Sequence, residues 1–251
     1  MKCAKLIKYL NAFLRVSEIE DDSKNGLQVE GADEVAHVAF AVDACQAAFE
    51  QAVSKRTQLL IVHHGIFWNH SLTLTGPHYR RMKTLIQGNV GLYGAHLPLD
   101  AHPTVGNNAE LIRVLGLKKR RPFGKYHKSV IGFAGELPHA VPLNLLVERL
   151  QRVTGLPPVR VLAFGPKRVR TVGCISGGAA EMLDQAHTAG FDLYVTGETQ
   201  HRAFHDAQER RMNVIFGGHY ATEVLGLKAL ARHVEKKFQL KTTFLDLPTG
   251  T

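Results

Sequence analysis

Leu59-Leu60-Ile61-Val62-His63-His64-Gly65 is the stretch on which the reading of the fold turns. Four consecutive apolar residues ending at a turn-permitting glycine read as a strand buried on both faces, as in parallel sheets. Two imidazoles stand at its C-terminal end, where open parallel sheets bind their ligands. Matching donors occur in His96-Leu97-Pro98-Leu99-Asp100, in Thr196-Gly197-Glu198 and in Gly217-Gly218-His219-Tyr220-Ala221-Thr222-Glu223. Each of these stretches follows, or lies in, what reads as the end of a buried strand. Imidazoles and carboxylates converging there point to a metal site holding two ions.

Outward from that stretch, the chain repeats itself. Under a shift of 134 residues, 27–64 lie over 161–198 without a gap. Gly31 falls on Gly165, Val35 on Val169, Val38 on Val172, Gln51-Ala52 on Gln185-Ala186 and Leu59 on Leu193. Each copy reads strand, turn, helix, strand, then a polar pocket residue. Val38–Val42, a helix over Cys45–Ser54 and Leu59–Val62 match Thr171–Ile175, a helix over Ala179–Ala189 and Asp192–Thr196. A further strand follows in both, in Asn89–His96 and Asn213–His219, and helices over Leu6–Arg15 and Asn144–Thr154 open the halves. Alternating strands and helices imply buried parallel sheets. The expected organisation is a first α/β lobe over 1–122 and a second over 123–251, with the C-terminal segment able to pack back on the first. Asp43, His63, His64, His96, Glu198 and His219 all fall at strand ends. His63-His64 sits opposite Gly197-Glu198, so a duplicated scaffold carries an unduplicated site, shared by both lobes.

Composition narrows the class. A chain of 251 residues with 45% apolar content builds an ample core. No apolar run reaches the ~18 residues of a membrane span, and the amphipathic start, with Leu6, Leu10 and Phe13 or Leu14 at helical spacing, lacks a signal-peptide pattern. Three scattered cysteines, Cys3, Cys45 and Cys174, fit a reducing cytoplasm and argue against a disulfide framework or a cysteine zinc knuckle. The net charge of +9 is a mild bias toward anions. Its densest run, Lys118-Lys119-Arg120-Arg121, reads as a solvated connector. No phosphate-cradling GxxxxGK[ST] loop is present. Gly177-Gly178 before a helix suits either an anion contact or a tight turn.

His219 and Glu223, four apart, share a helix face if a helix begins after Gly217-Gly218. Leu227, Leu230, Val234 and Phe238 continue that spacing toward the core. Adjacent strand residues point to opposite faces, so His63 and His64 both ligate only where the strand ends. Asp100 supplies a carboxylate able to bridge two ions. His37, His70, His78, His127, His139, His187 and His233 read as structural or surface histidines.

These residues resemble the Nif-three-like family of dinuclear metal proteins, known as GTP cyclohydrolase 1 type 2 homologues. The match runs through Ser23-Lys24-Asn25-Gly26-Leu27-Gln28-Val29, Val42-Asp43-Ala44, His63-His64-Gly65, His96–Asp100, Gly106-Asn107-Asn108, Thr196-Gly197-Glu198, Gly218–Glu223 and Phe244-Leu245-Asp246-Leu247-Pro248. The resemblance implies two divalent metal ions (Zn, Fe, Mn or similar) on His63, His64, Asp100, His219 and Glu223. It implies two structurally similar, intertwined three-layer α/β/α lobes with the metal site between them, and a toroidal homohexamer. His205 matches a family histidine near the cavity, whereas His201 stands where many relatives carry a carboxylate.

The reading that follows is a cytoplasmic metal-dependent hydrolase of the GTP cyclohydrolase type 2 kind, acting on a nucleotide or phosphorylated small molecule. His96, Glu198 and His205 are its candidate proton-carrying residues. The alternative is a non-enzymatic metal-handling or protein-interaction role. Nucleic-acid binding rests on charge alone and ranks last, and no membrane partner is expected.

Overall fold

The structure is a computed structural model that describes residues 1–250. Among the described residues the strands are β1 (Gly26–Val29), β2 (His37–Asp43), β3 (Leu59–His64), β4 (Gly91–Gly94), β5 (Lys118–Tyr126), β6 (Ser129–Pro142), β7 (Arg160–Ala163), β8 (Arg168–Cys174), β9 (Leu193–Thr196), β10 (Asn213–Phe216) and β11 (Lys241–Phe244). The α-helices are α1 (Cys3–Phe13), α2 (Gln46–Ser54), α3 (Gly76–Gln87), α4 (Leu97–Asp100), α5 (Asn107–Leu115), α6 (Leu143–Thr154), α7 (Leu183–Thr188), α8 (Ala203–Glu209) and α9 (His219–Phe238). Among these residues no helix is long and apolar enough to cross a membrane.

The chain divides into two compact units. One is Met1–Leu99 with Leu227–Leu247; the other is Asp100–Gly226 with the residues from Pro248 onward. This departs from a linear cut at 122/123. The physical reason is strand pairing: β11 hydrogen-bonds in parallel to β2 and closes the first sheet, so the chain must return there.

The first sheet runs β1-β4-β3-β2-β11, parallel except for β1. Parallel strands are covered on both faces, and every residue of β2 before Asp43 and of β3 before His64 is buried. On one face Ala39, Ala41, Leu60, Val62 and Leu92 meet Phe49 of α2 and Leu85 of α3. On the other, Tyr93 donates its hydroxyl to Asn11 of α1 at 2.9 Å, and Tyr9 of α1 meets His233 of α9 at 2.6 Å. Leu6, Leu10 and Leu14 form the buried stripe of the first helix, while Phe13 is half-buried and stacks on His233.

The second sheet runs β5-β6-β8-β9-β10-β7; β8, β9 and β10 are parallel and the outer strands antiparallel. Leu111, Ile112, Leu146, Leu150, Val172, Val195 and Ile215 form the core between this sheet and α5 and α6. On the opposite face Tyr194 donates its hydroxyl to Ala179 O at 2.7 Å, before the buried Ala186 of α7. The two units are thus α/β layers of the same build.

The repeat is visible at single-residue register. β1-β4-β3-β2 and β7-β10-β9-β8 have the same order and directions. The shift of 134 carries the pair Val38↔Leu59 onto Val172↔Leu193, and Phe40↔Ile61 onto Cys174↔Val195. Leu27↔Tyr93 and Val161↔Ile215 occupy equivalent places, with the second partner offset by 122 because the chain between the last two strands is shorter in the second copy. The copies part beyond those strands. β11 lies parallel against β2, whereas β6 lies antiparallel against β8. The helix expected over 179–189 begins as a 3-10 turn, Ala180–Met182, before α7. Lys118-Lys119-Arg120-Arg121 is a further correction: it opens β5, an edge strand, and not a connector.

Candidate metal centre

In the first unit β3 ends at His64, so the strict alternation of faces relaxes there and the His63 and His64 rings approach to 4.8 Å between centroids. His96 follows β4, the neighbouring parallel strand, and its ring lies 5.0 Å from that of His63. One ligand atom from each of the three histidines falls within 4.8 Å of the others.

What each Nδ1 meets fixes the tautomers. His63 Nδ1 is 2.8 Å from Ala95 O, His64 Nδ1 is 2.8 Å from Asp43 Oδ1, and His96 Nδ1 is 2.9 Å from Asp21 Oδ1. Carbonyl and carboxylate oxygens only accept, so each Nδ1 must donate. That places the lone pair on Nε2 whenever these rings are neutral. Outer carboxylates and carbonyls holding ring N–H groups are the usual support of metal-ligating histidines.

Asp21 is the most deeply seated of these supports. Burial works to raise its pKa, but the hydrogen bond and charge of His96 outweigh it, helped by Ser23 N–H and Asn25, and hold the carboxyl at about 2. Trp68, the one tryptophan of the chain, packs edge-on against His96 at 5.0 Å.

In the second unit His219 and Glu223 occupy the first turn and a half of α9, which begins directly after Gly217-Gly218. His219 Nε2 lies 3.1 Å from Glu223 Oε1, and Nδ1 lies 2.8 Å from Glu198 Oε2. Both ring nitrogens face acceptors. The Glu223 hydrogen bond is the largest cause, and with the two carboxylate charges it overcomes burial to raise the His219 pKa to about 9. A proton here sits where a cation is favoured. Glu198 therefore bears on His219 as a ring-holding carboxylate.

Asp100 is buried in the same unit. Its Oδ1 accepts from Asn107 Nδ2 at 2.8 Å and from Ser176 Oγ at 2.7 Å. Asn107 Oδ1 in turn accepts Gly226 N–H of α9 at 2.8 Å. A Cβ on Gly226 would stand 2.5 Å from Asn107 Oδ1, and one on Gly177 would stand 2.2 Å from Glu223 Oε1. Gly177 also has φ +67°, so a tight turn explains Gly177-Gly178.

Of the candidate proton carriers, His96 lies beside His63 and Glu198 holds His219. His205 is exposed on α8, edge-on to Phe204, and among the described residues the close ligand-atom groups do not include it. Sequence reading missed Asp21, Ser176 and the task of Asn107. For Asp21 a signal existed: Asp21-Asp22-Ser23 is a polar turn cluster, and Asp21 Oδ1 accepts Ser23 N–H as in an Asx turn. Imidazoles with supported Nδ1 groups, together with buried or half-buried carboxylates, are a donor set suited to divalent Zn, Fe or Mn.

Residues 1–249 match the family described as Duf34/NIF3 (NGG1p interacting factor 3). A Deinococcus radiodurans protein named GTP cyclohydrolase 1 type 2 homolog is 43% identical over 246 residues, covering 98% of this chain and 93% of that protein. One of the same name from Archaeoglobus fulgidus is 41% identical over 250 residues, spanning all of both chains. The crystal structure of a Thermus thermophilus protein superposes with a TM-score of 0.93 at 44% identity, covering 100% of each chain.

Proposed function

The chain belongs to the Duf34/NIF3 family, and we propose that this member is a metal-dependent hydrolase binding two divalent ions through His63, His64, Asp100, His219 and Glu223. The observation that carries the reading is the triple of histidines in the first unit, each with Nδ1 anchored on an acceptor and its ligand atoms gathered within 4.8 Å. Such outer support fixes the tautomer and direction of an imidazole and raises its basicity, as suits a metal ligand. Divalent ions held by these residues would supply Lewis acidity and hydroxide near neutral pH.

The residues of the chain have separable tasks in this scheme. Asp43 and Ala95 O hold the His64 and His63 rings, and Glu198 holds His219. Asn107 and Ser176 hold Asp100. His96 accepts or returns a proton at Nε2, and His205 is a second candidate for that transfer. The relatives' name directs the first substrate test to GTP, whose guanine imidazole ring would be opened by water at its carbon. A cytoplasmic, ring-shaped homohexamer is part of the proposal, supported by resemblance alone.

The family description names an interacting factor, which favours one alternative, a metal-handling or protein-interaction role without turnover. Two measurements separate the readings. Metal analysis should return two ions per chain, and mass spectrometry of metal-loaded protein with GTP, other nucleotides and phosphoesters should show product that Asp100→Asn fails to make. Two bound ions with no product from any substrate would favour metal handling.

A further inference from the structure

Three carboxylates hold histidine Nδ1 groups, and they differ sharply in setting. The side chains of Asp43 and Glu198 are 37% and 54% exposed, whereas that of Asp21 is 3% exposed. An ionised carboxylate taken out of water is costly unless hydrogen bonds replace its hydration. Four donors do so here. Ser23 N donates to Oδ1 at 3.0 Å, Leu97 N to Oδ2 at 3.0 Å and Asn25 Nδ2 to Oδ2 at 2.7 Å; His96 Nδ1 lies 2.9 Å from Oδ1 and 3.1 Å from Oδ2. Asn25 adds a second hold, its Oδ1 accepting His96 N–H at 2.7 Å. His96 is thus gripped by ring and by backbone from one short segment.

That segment is itself pinned to the loop after β3. Lys24 N donates to Phe67 O at 2.9 Å, Lys24 Nζ to Asn69 at 2.6 Å, and Asn69 Nδ2 to Asp22 at 2.8 Å. Trp68 from this loop closes on the His96 ring. Gln28 of β1 fastens the same loop, its Oε1 accepting Ile66 N–H at 2.8 Å, and it passes so near Gly65 that a Cβ there would stand 2.2 Å from Gln28 Nε2.

We infer that Asp21, with Asn25, is the positioning residue of His96: it fixes the Nδ1–H tautomer and the ring direction that bring the Nε2 lone pair beside those of His63 and His64. Asp21 touches no reacting atom in this scheme and acts through His96. The functional half of the inference rests on the hydrolase reading; the tautomer does not.

The test is therefore nitrogen-15 NMR of histidine rings in the metal-free protein at about pH 8, where an ordinary imidazole is neutral. Wild type should carry the His96 proton on Nδ1, and Asp21→Ala should move it largely to Nε2. An unchanged tautomer in the variant overturns the inference. Should the variant fail to fold, the wild-type spectrum decides alone, since a proton on Nε2 overturns it equally. With zinc bound, Asp21→Ala should keep the wild-type metal stoichiometry and lose turnover by about 10- to 100-fold, the usual range for an outer support. Undiminished turnover overturns the functional half. Absence of turnover in wild type would sink the hydrolase reading and leave the tautomer test standing.

Discussion

Glu223 reaches His219 only because position 177 has no side chain. At φ +67° and with a Cβ 2.2 Å from Glu223 Oε1, Gly177→Ala is both strained and obstructed. The variant should fold yet bind zinc at least about tenfold more weakly, read by competition with a chromophoric chelator. A wild-type affinity would show that Glu223 is not a ligand. Asp43→Asn tests the first unit in the same way. Asparagine can still accept from His64 Nδ1 but carries no charge, so an affinity loss of about 10- to 100-fold is expected. The candidate ligand types were readable from sequence because His63-His64 and the His219/Glu223 spacing are local patterns. Their supports were not. Asp21 and His96 are separated by 75 positions, Ser176 and Asp100 by 76, and no local periodicity links such pairs.

Elements were read best where burial enforces a period. Leu227, Leu230 and Val234 of α9 are fully buried, while Phe238, at the end of the same stripe, is half-buried against Tyr9. The strand that sequence reading took for a connector, β5, shows why polarity misleads at a sheet edge. Its first five residues are exposed, Lys119 has φ +49°, and the register to β6 slips between Lys118 and Arg121. Lysines and a bulge on an edge oppose pairing with another chain. Replacing Lys118 by valine, with the left-handed Lys119 kept, should leave the melting temperature within a few degrees and raise light scattering on concentration; unaltered solubility would assign Lys118 no protective task.

At the other sheet, β11 is fastened to β2 by ladder bonds and by His37 Nε2, 2.8 Å from Thr243 Oγ1. Burial first, then the charges of Lys241 and Lys55, lower the His37 pKa despite a backbone bond that raises it. A base depressed in the folded state adds stability above its unfolded value of about 6.5, and that stability is lost as pH falls through the folded value. Amide protection factors in β11, which take out the intrinsic pH dependence of exchange, should fall below about pH 6, and His37→Gln should flatten the change. Protection factors independent of pH in the wild type would contradict it.

At the scale of the molecule, the units follow sheet membership and not chain order. Leu227–Leu247 supplies most of α9 and all of β11 to the first unit. A fragment of residues 1–122 should therefore be unfolded by circular dichroism, because it lacks the strand beside β2 and the helix against Tyr9. Residues 1–99 joined by a flexible linker to 227–247 should fold. A cooperative melt from the 1–122 fragment would refute this division. The duplication was legible as a shift of 134, since register in a buried sheet is enforced by which side chains face each core. The returning β11 was not, because an apolar segment fits any edge that presents open hydrogen-bonding groups.

The sequence by itself determined the alternation of strands and helices, the duplicated frame and the types of the candidate ligands. Those follow from short-range rules of period, turn and spacing, and the family's motifs name the same residues. Tertiary structure alone decided which edge β11 joins, that the basic run is a strand, and which acceptors hold His63, His64, His96 and His219. Those facts depend on contacts between residues far apart in the chain, where a polar side chain in a turn carries no mark of its partner until folding brings the two within hydrogen-bond reach.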